Sequence, residues 1–190
     1  AGTLPALFTV SGSGWICGGV GPQVILSGSQ TGVNYQLIRG AATVGSPVAG
    51  TGSAINFGNQ NLPGFYSVVA TSAGNCTRAM TGTATINQGV LPTLFNVIGG
   101  GASCSNSVGV EVGLSGSQTT VTYQLVRNGT NIGSPVTGNG GYLNFGLQSP
   151  PPGSGSYTFT VVATHVATGC TRNMNGSATV SKSVLPTVFN

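Results

Sequence analysis

The sequence predicts an all-β chain of two tandem antiparallel β-sandwiches. Three observations lead there. Short runs rich in β-branched and aromatic residues alternate with Gly, Pro, Asn and Ser at regular intervals, the pattern of a sandwich or barrel. No stretch shows a 3.6-residue apolar period, so helix content should be close to nil. The whole pattern then occurs twice, with a period near that of one sandwich domain.

In the first copy the strand candidates run in order. LFTV from Leu7 opens the copy, and QVILS from Gln23 follows a Gly-rich loop. In Val33-Asn34-Tyr35-Gln36-Leu37 the odd positions should face the core, and Asn34 and Gln36 should face water. TVGSPV from Thr43, AINF from Ala54, YSVVAT from Tyr66 and TATI from Thr83 complete the set. The second copy returns them: LSGSQT at Leu26 reappears at Leu114, NYQLIRG at Asn34 as TYQLVRN at Thr122, and VGSPVAG at Val44 as IGSPVTG at Ile132. INFGNQ at Ile55 reappears as LNFGLQ at Leu143, VVAT at Val68 again at Val161, and CTRAMTGTATI at Cys76 as CTRNMNGSATV at Cys170. The openings LPALFTV at Leu4, LPTLFNV at Leu91 and LPTVFN at Leu185 lie 87 and 94 residues apart. Repeats over residues 1–89 and 90–184 follow, with 185–190 read as the opening strand of a next repeat or an inter-subunit docking segment.

Charge narrows the function. The chain has five basic residues and one acidic residue, Glu111, against 39% hydrophobic residues. Apolar content suffices for a core, so the surface must be built from neutral polar residues and should respond little to salt or pH. The arginines do not cluster with aromatics, which argues against nucleic acid as a partner; they read as solvated strand faces. No apolar run is long enough to span a bilayer as a helix. Paired-carboxylate glycoside hydrolysis lacks its second acid, and a Ser-His-Asp arrangement lacks its Asp. Calcium cages need more carboxylates than one, and the Gly-rich runs lack the Lys of a phosphate loop. His165 reads as a loop residue. No catalytic, cofactor or metal site is expected.

Cys17, Cys76, Cys104 and Cys170 allow three connectivities. Equivalence between copies favours Cys17–Cys76 and Cys104–Cys170. Each would close a loop of about 60 residues and stabilise by roughly 4 kcal/mol in the chain-entropy treatment. Free buried thiols are the alternative, and metal binding lacks further ligands. Disulfides would imply an oxidising, extracellular setting.

Cys17, Tyr35, Leu37, Cys76, Thr77, Met80 and Gly82, with Cys104, Tyr123, Leu125, Gly169, Cys170, Thr171, Met174, Gly176 and Ser177, form a pattern that resembles the Ig-like repeats of secreted surface and gliding-adhesin proteins of Bacteroidetes. The resemblance implies secreted, cell-surface Ig-like sandwiches serving as spacer, stalk or adhesive units without catalysis. Trp15 is not shared, since Ala102 stands in the second copy, and Tyr66 aligns with Phe159.

The segment between the copies holds no flexible linker, and Pro92 stiffens it. Leu4, Pro5, Phe8, Leu91, Pro92, Phe95, Leu185, Pro186, Val188 and Phe189 are therefore the expected junction residues of a head-to-tail string, with further copies of itself as partner. The competing reading is a module for cell-surface glycans or another neutral ligand, with Trp15, Tyr142 and Phe65 as stacking aromatics.

Overall fold

A computed structural model describes residues 2–104, 107–150 and 155–183. The chain divides into two compact units, Ala1–Gly89 and Val90–Asn190. Among the described residues every regular element is a strand.

Unit 1 contains β1 (Val10–Ser11), β2 (Gly14–Ile16), β3 (Gln23–Leu26), β4 (Val33–Arg39), β5 (Ala42–Ala49), β6 (Ile55–Asn59), β7 (Gly64–Ser72), β8 (Thr77–Ala79) and β9 (Ala84–Gln88). A small sheet runs β1-β3-β6 and a large one runs β2-β9-β7-β4-β5, with β8 also on β7. Unit 2 repeats this with β10 (Val97–Gly99), β11 (Gly101–Cys104), β12 (Val110–Leu114), β13 (Val121–Arg127), β14 (Thr130–Thr137), β15 (Leu143–Gln148), β16 (Ser156–His165), β17 (Thr171–Asn173) and β18 (Ala178–Ser183). Its sheets are β10-β12-β15 and β11-β18-β16-β13-β14, with β17 on β16. Among the described strands the pairing is antiparallel with one departure in each unit: β2 lies parallel to β9, and β11 parallel to β18.

That departure has a local cause. The opening strand of each unit starts in the small sheet and crosses to the large one, and a glycine makes the crossing. Gly12 has φ +118°, and a Cβ there would sit 2.0 Å from the Gln23 carbonyl oxygen. Gly99 has φ +92°, and its Cβ would sit 2.2 Å from the Glu111 carbonyl oxygen. Only glycine permits both the conformation and the approach.

Alternation fills the core. Val33, Tyr35 and Leu37 of β4 pack with Leu26, Tyr66, Val68 and Ile86; Val121, Tyr123 and Leu125 of β13 pack with Leu114, Phe159, Val161 and Val180. The buried tyrosine hydroxyls are satisfied: Tyr35 accepts from the Gln30 N–H at 2.8 Å and Tyr123 from the Gln118 N–H at 2.9 Å. Burial of Tyr123 raises its phenol above the ordinary value, and the Gln118 hydrogen bond opposes this.

One detail differs from expectation. Gln36 is half-buried and held by the protein rather than freely solvated. The β4–β5 ladder is bulged between Tyr35 and Leu37, and the Gln36 amide donates to the carbonyls of Leu37 (2.8 Å), Val44 (3.0 Å) and Gly45 (3.2 Å). Gln124 does the same in unit 2 with Leu125 (2.8 Å), Ile132 (2.9 Å) and Gly133 (3.4 Å). The ladder skips Pro47 and Pro135, which have no N–H to give it and lie on edge strands, where proline is tolerated. Tyr66 forms a tyrosine corner: its hydroxyl donates to the Leu62 carbonyl at 2.7 Å. Phe159, at the equivalent position of unit 2, has no hydroxyl to do so.

Candidate functional site

Among the described residues the expected junction segments and the cysteines lie at the two ends of each sandwich. The N-terminal pole is where the chain enters a unit, and the C-terminal pole is where the last strand leaves it.

At the N-terminal pole of unit 1 the LPALF segment is a strap held by its own domain. Arg78 donates to the Pro5 carbonyl at 2.9 Å, and the Ala6 N–H donates to Gln30 Oε1 at 2.5 Å. The Phe8 ring packs edge-on against Tyr35 with centroids 6.4 Å apart. It lies so close over Gly28 that a Cβ there would meet it at 2.5 Å. Unit 2 repeats the two hydrogen bonds and the close approach of phenylalanine to glycine. Arg172 donates to the Pro92 carbonyl at 3.3 Å and Thr93 N–H to Gln118 Oε1 at 2.7 Å, while Phe95 lies 2.6 Å from where a Gly116 Cβ would be. Phe8 and Phe95 are thus packed against their own cores. Leu4 and Leu7 are the solvated members of the strap in unit 1, at 63% and 46% exposure. A cleft of about 330 Å³ runs beside the strap, lined by Leu4, Pro5, Gln30, Val33 and Gly74 among others. Leu185, Pro186, Val188 and Phe189 lie outside the described residues.

The arginines are correspondingly not plain solvated faces. Arg78 and Arg172 fasten the straps, and the Arg127 guanidinium lies 4.8 Å over the Tyr157 ring. The signal for the strap contacts was present in the sequence, since Gln30, Gly28 and Arg78 all stand in blocks repeated between the copies.

The cysteines require a correction. Cys76 and Cys104 are free thiols, whereas Cys17 and Cys170 are disulfide-bonded. Neither Cys17–Cys76 nor Cys104–Cys170 is present. The physical reason is the parallel opening strand. β2 runs alongside β9, with Ile16 opposite Gln88, which carries Cys17 to the C-terminal pole, beyond Gly64 at the start of β7. Cys76 is level with the far end of β7, its carbonyl accepting from the Ser72 N–H at 3.0 Å. The nine residues of β7 separate them by about 26 Å at ~3.3 Å per residue, whereas a disulfide needs Cα atoms within about 7 Å. In unit 2, Cys104 pairs with Ser183 at the end of β18, and Cys170 accepts from the His165 N–H at 2.9 Å at the end of β16. They too occupy opposite poles.

Trp15 and Tyr142 fall in different units. Trp15 is 40% exposed on β2. The Tyr142 hydroxyl donates to the Glu111 carboxylate, and that hydrogen bond, with burial and the carboxylate charge, raises the phenol above its ordinary value. Among the described residues no group of three or more His, Cys, Asp or Glu could hold a metal, and no helix is long and apolar enough to cross a membrane.

No protein-family model and no curated protein matches the chain. Among solved structures it is similar to the fibronectin(III)-like modules of Clostridium thermocellum CbhA, with a TM-score of 0.52 and 13% identity over 97% of this chain and 99% of that one. The fold is Ig/fibronectin-III-like. Further structural neighbours are a Ca2+-stabilized adhesin that helps an Antarctic bacterium bind ice (TM-score 0.46, 18% identity, 97% of this chain and 50% of that one) and chicken CNTN1 FN1-FN3 domains (TM-score 0.48, 12% identity, 95% and 67%). At these identities the likeness is one of fold.

Proposed function

We propose that the chain is a non-enzymatic structural repeat unit of an extracellular filament or cell-surface adhesin stalk, arranged head to tail. One observation carries this reading. Each Ig-like unit takes in its chain at one pole and releases it at the other, and both open with the same strap, fastened by the same Arg and Gln contacts. Such a unit adds to its neighbour in series and presents a nearly uncharged surface along the way. The third LPxxF segment, Leu185 to Phe189, then serves as the docking strap for a further copy. Removing everything after Ser183 tests this by negative-stain microscopy. The intact chain should form linear assemblies and the truncated chain should not. Unchanged assemblies after truncation, or none from the intact chain, would refute it.

A second reading, a carbohydrate-binding face, is favoured by one arrangement. Ile16, Ile86 and Tyr66 are buried, so by alternation Trp15 and Phe65 both project from the outer face of the large sheet of unit 1, on strands flanking β9. They stand about 12 Å apart, two strand spacings across and two residues along the sheet, and Phe65 is 66% exposed. Glycan binding lost in both Trp15→Ala and Phe65→Ala would support this reading; no glycan binding by the parent chain would dismiss it.

A further inference from the structure

The two free thiols occupy a patterned pair of positions. Cys104 is the repeat equivalent of Cys17, at a C-terminal pole; Cys76 is the equivalent of Cys170, at an N-terminal pole. Their equivalents are both disulfide-bonded, so both environments accommodate a half-cystine. Neither free thiol can reach the cysteine of its own unit, which lies a full strand length away at the opposite pole. Cys104 is exposed, and its carbonyl accepts from the Ser107 N–H and Oγ, both at 3.0 Å. Cys76 is half-buried. A Cβ on Gly2 would fall 2.7 Å from its sulfur, so this thiol lies directly beside the chain where it enters the unit.

We propose that Cys104 of one molecule forms a disulfide with Cys76 of a second copy of this chain, C-terminal pole to N-terminal pole, and locks the series covalently. The inference rests on the head-to-tail reading above. The chemistry needs a low-molecular-weight disulfide as oxidant. The Cys104 thiolate attacks one sulfur of that disulfide, forms a mixed disulfide and releases one small thiolate. The Cys76 thiolate of the next molecule then attacks the Cys104 sulfur and displaces the second. Two protein thiols lose two protons and two electrons, and one small disulfide becomes two small thiols. A bond of this polarity leaves the linked series with a free Cys76 at one end and a free Cys104 at the other, so it propagates.

The test uses the full chain treated with oxidised glutathione and resolved by non-reducing denaturing electrophoresis. The expected result is a ladder in steps of 18.7 kDa that collapses on reduction, with a cross-linked peptide pair containing Cys104 and Cys76. Cys104→Ser and Cys76→Ser should each abolish the ladder. Mixed together, they should give a dimer and nothing larger, because one supplies only Cys76 and the other only Cys104. Alkylating the free thiols of the unaltered protein should also abolish the ladder, without any substitution. Cross-links joining Cys76 to Cys76 or Cys104 to Cys104, or no dimer from the mixture, would overturn the bridge. Microscopy under reducing conditions separates the two readings. Linear assemblies there, with no ladder on oxidation, overturn the bridge alone. Monomers under both conditions overturn the bridge and the head-to-tail reading together.

Discussion

Gln36→Met removes the amide that closes the bulge in β4–β5 while keeping a side chain of similar length. The wild-type amide donates at 2.8 and 3.0 Å to two carbonyls and at 3.2 Å to a third. At about 1 kcal/mol net per hydrogen bond, the two shorter ones set a ceiling near 2 kcal/mol. Gln36 is only half-buried, so water reaches part of what is uncovered, and the expected loss is about 1–2 kcal/mol. The chain has a single tryptophan, Trp15, and it lies in unit 1, so tryptophan fluorescence during urea unfolding reports that unit. With a urea slope of ~1–1.5 kcal/mol/M for a domain this small, the midpoint should fall by about 1 M. Gln124→Met removes the matching contact in unit 2 and should leave the Trp15 transition where it was. A loss below about 0.3 kcal/mol for Gln36→Met would refute the bulge-closing role. A shift of the Trp15 transition by Gln124→Met would refute the confinement of that contact's effect to unit 2.

Tyr66→Phe should lower the stability of unit 1 by about 1 kcal/mol, which is a melting shift of roughly 4–8 °C for a domain of this size; the Trp15-reported thermal transition checks it, and no shift would show the corner to be dispensable. Stability of unit 2 should decline at alkaline pH. The folded Tyr123 phenol titrates above the ordinary value, so the unfolded chain loses its proton first. The contribution is therefore complete below about pH 10 and is lost as pH rises from there toward the folded value. Tyr123→Phe should flatten that alkaline limb in urea titrations, and an unchanged limb would refute the assignment.

The strand set was legible because its signals are local: alternation in Val33 to Leu37, and glycine and proline at the breaks. The repeat was legible because blocks such as LSGSQT and CTR return intact. What was not legible depended on pairing across the sandwich. The sequence shows Cys17 after the opening strand and Cys76 before the last, but only the parallel β2–β9 register puts them at opposite poles. The same holds for Gln36, whose polar side chain reads as solvated until the bulge supplies three carbonyls to meet it. Arg78 looked like a strand-face cation because its partner, the Pro5 carbonyl, is a backbone group 73 residues away, and no charge pattern marks a backbone acceptor.

The parallel contact between β2 and β9 has a mechanical meaning. The opening strand of a unit and its closing strand lie side by side, Gly14 opposite Ile86, Trp15 opposite Asn87 and Ile16 opposite Gln88. Tension along a string of such units would draw β2 back toward one pole and β9 on toward the other. The hydrogen bonds between them would be loaded in shear, all at once and across their length, and could not be opened one by one from an end. The glycine that lets the first strand change sheets therefore also decides how the unit resists being stretched.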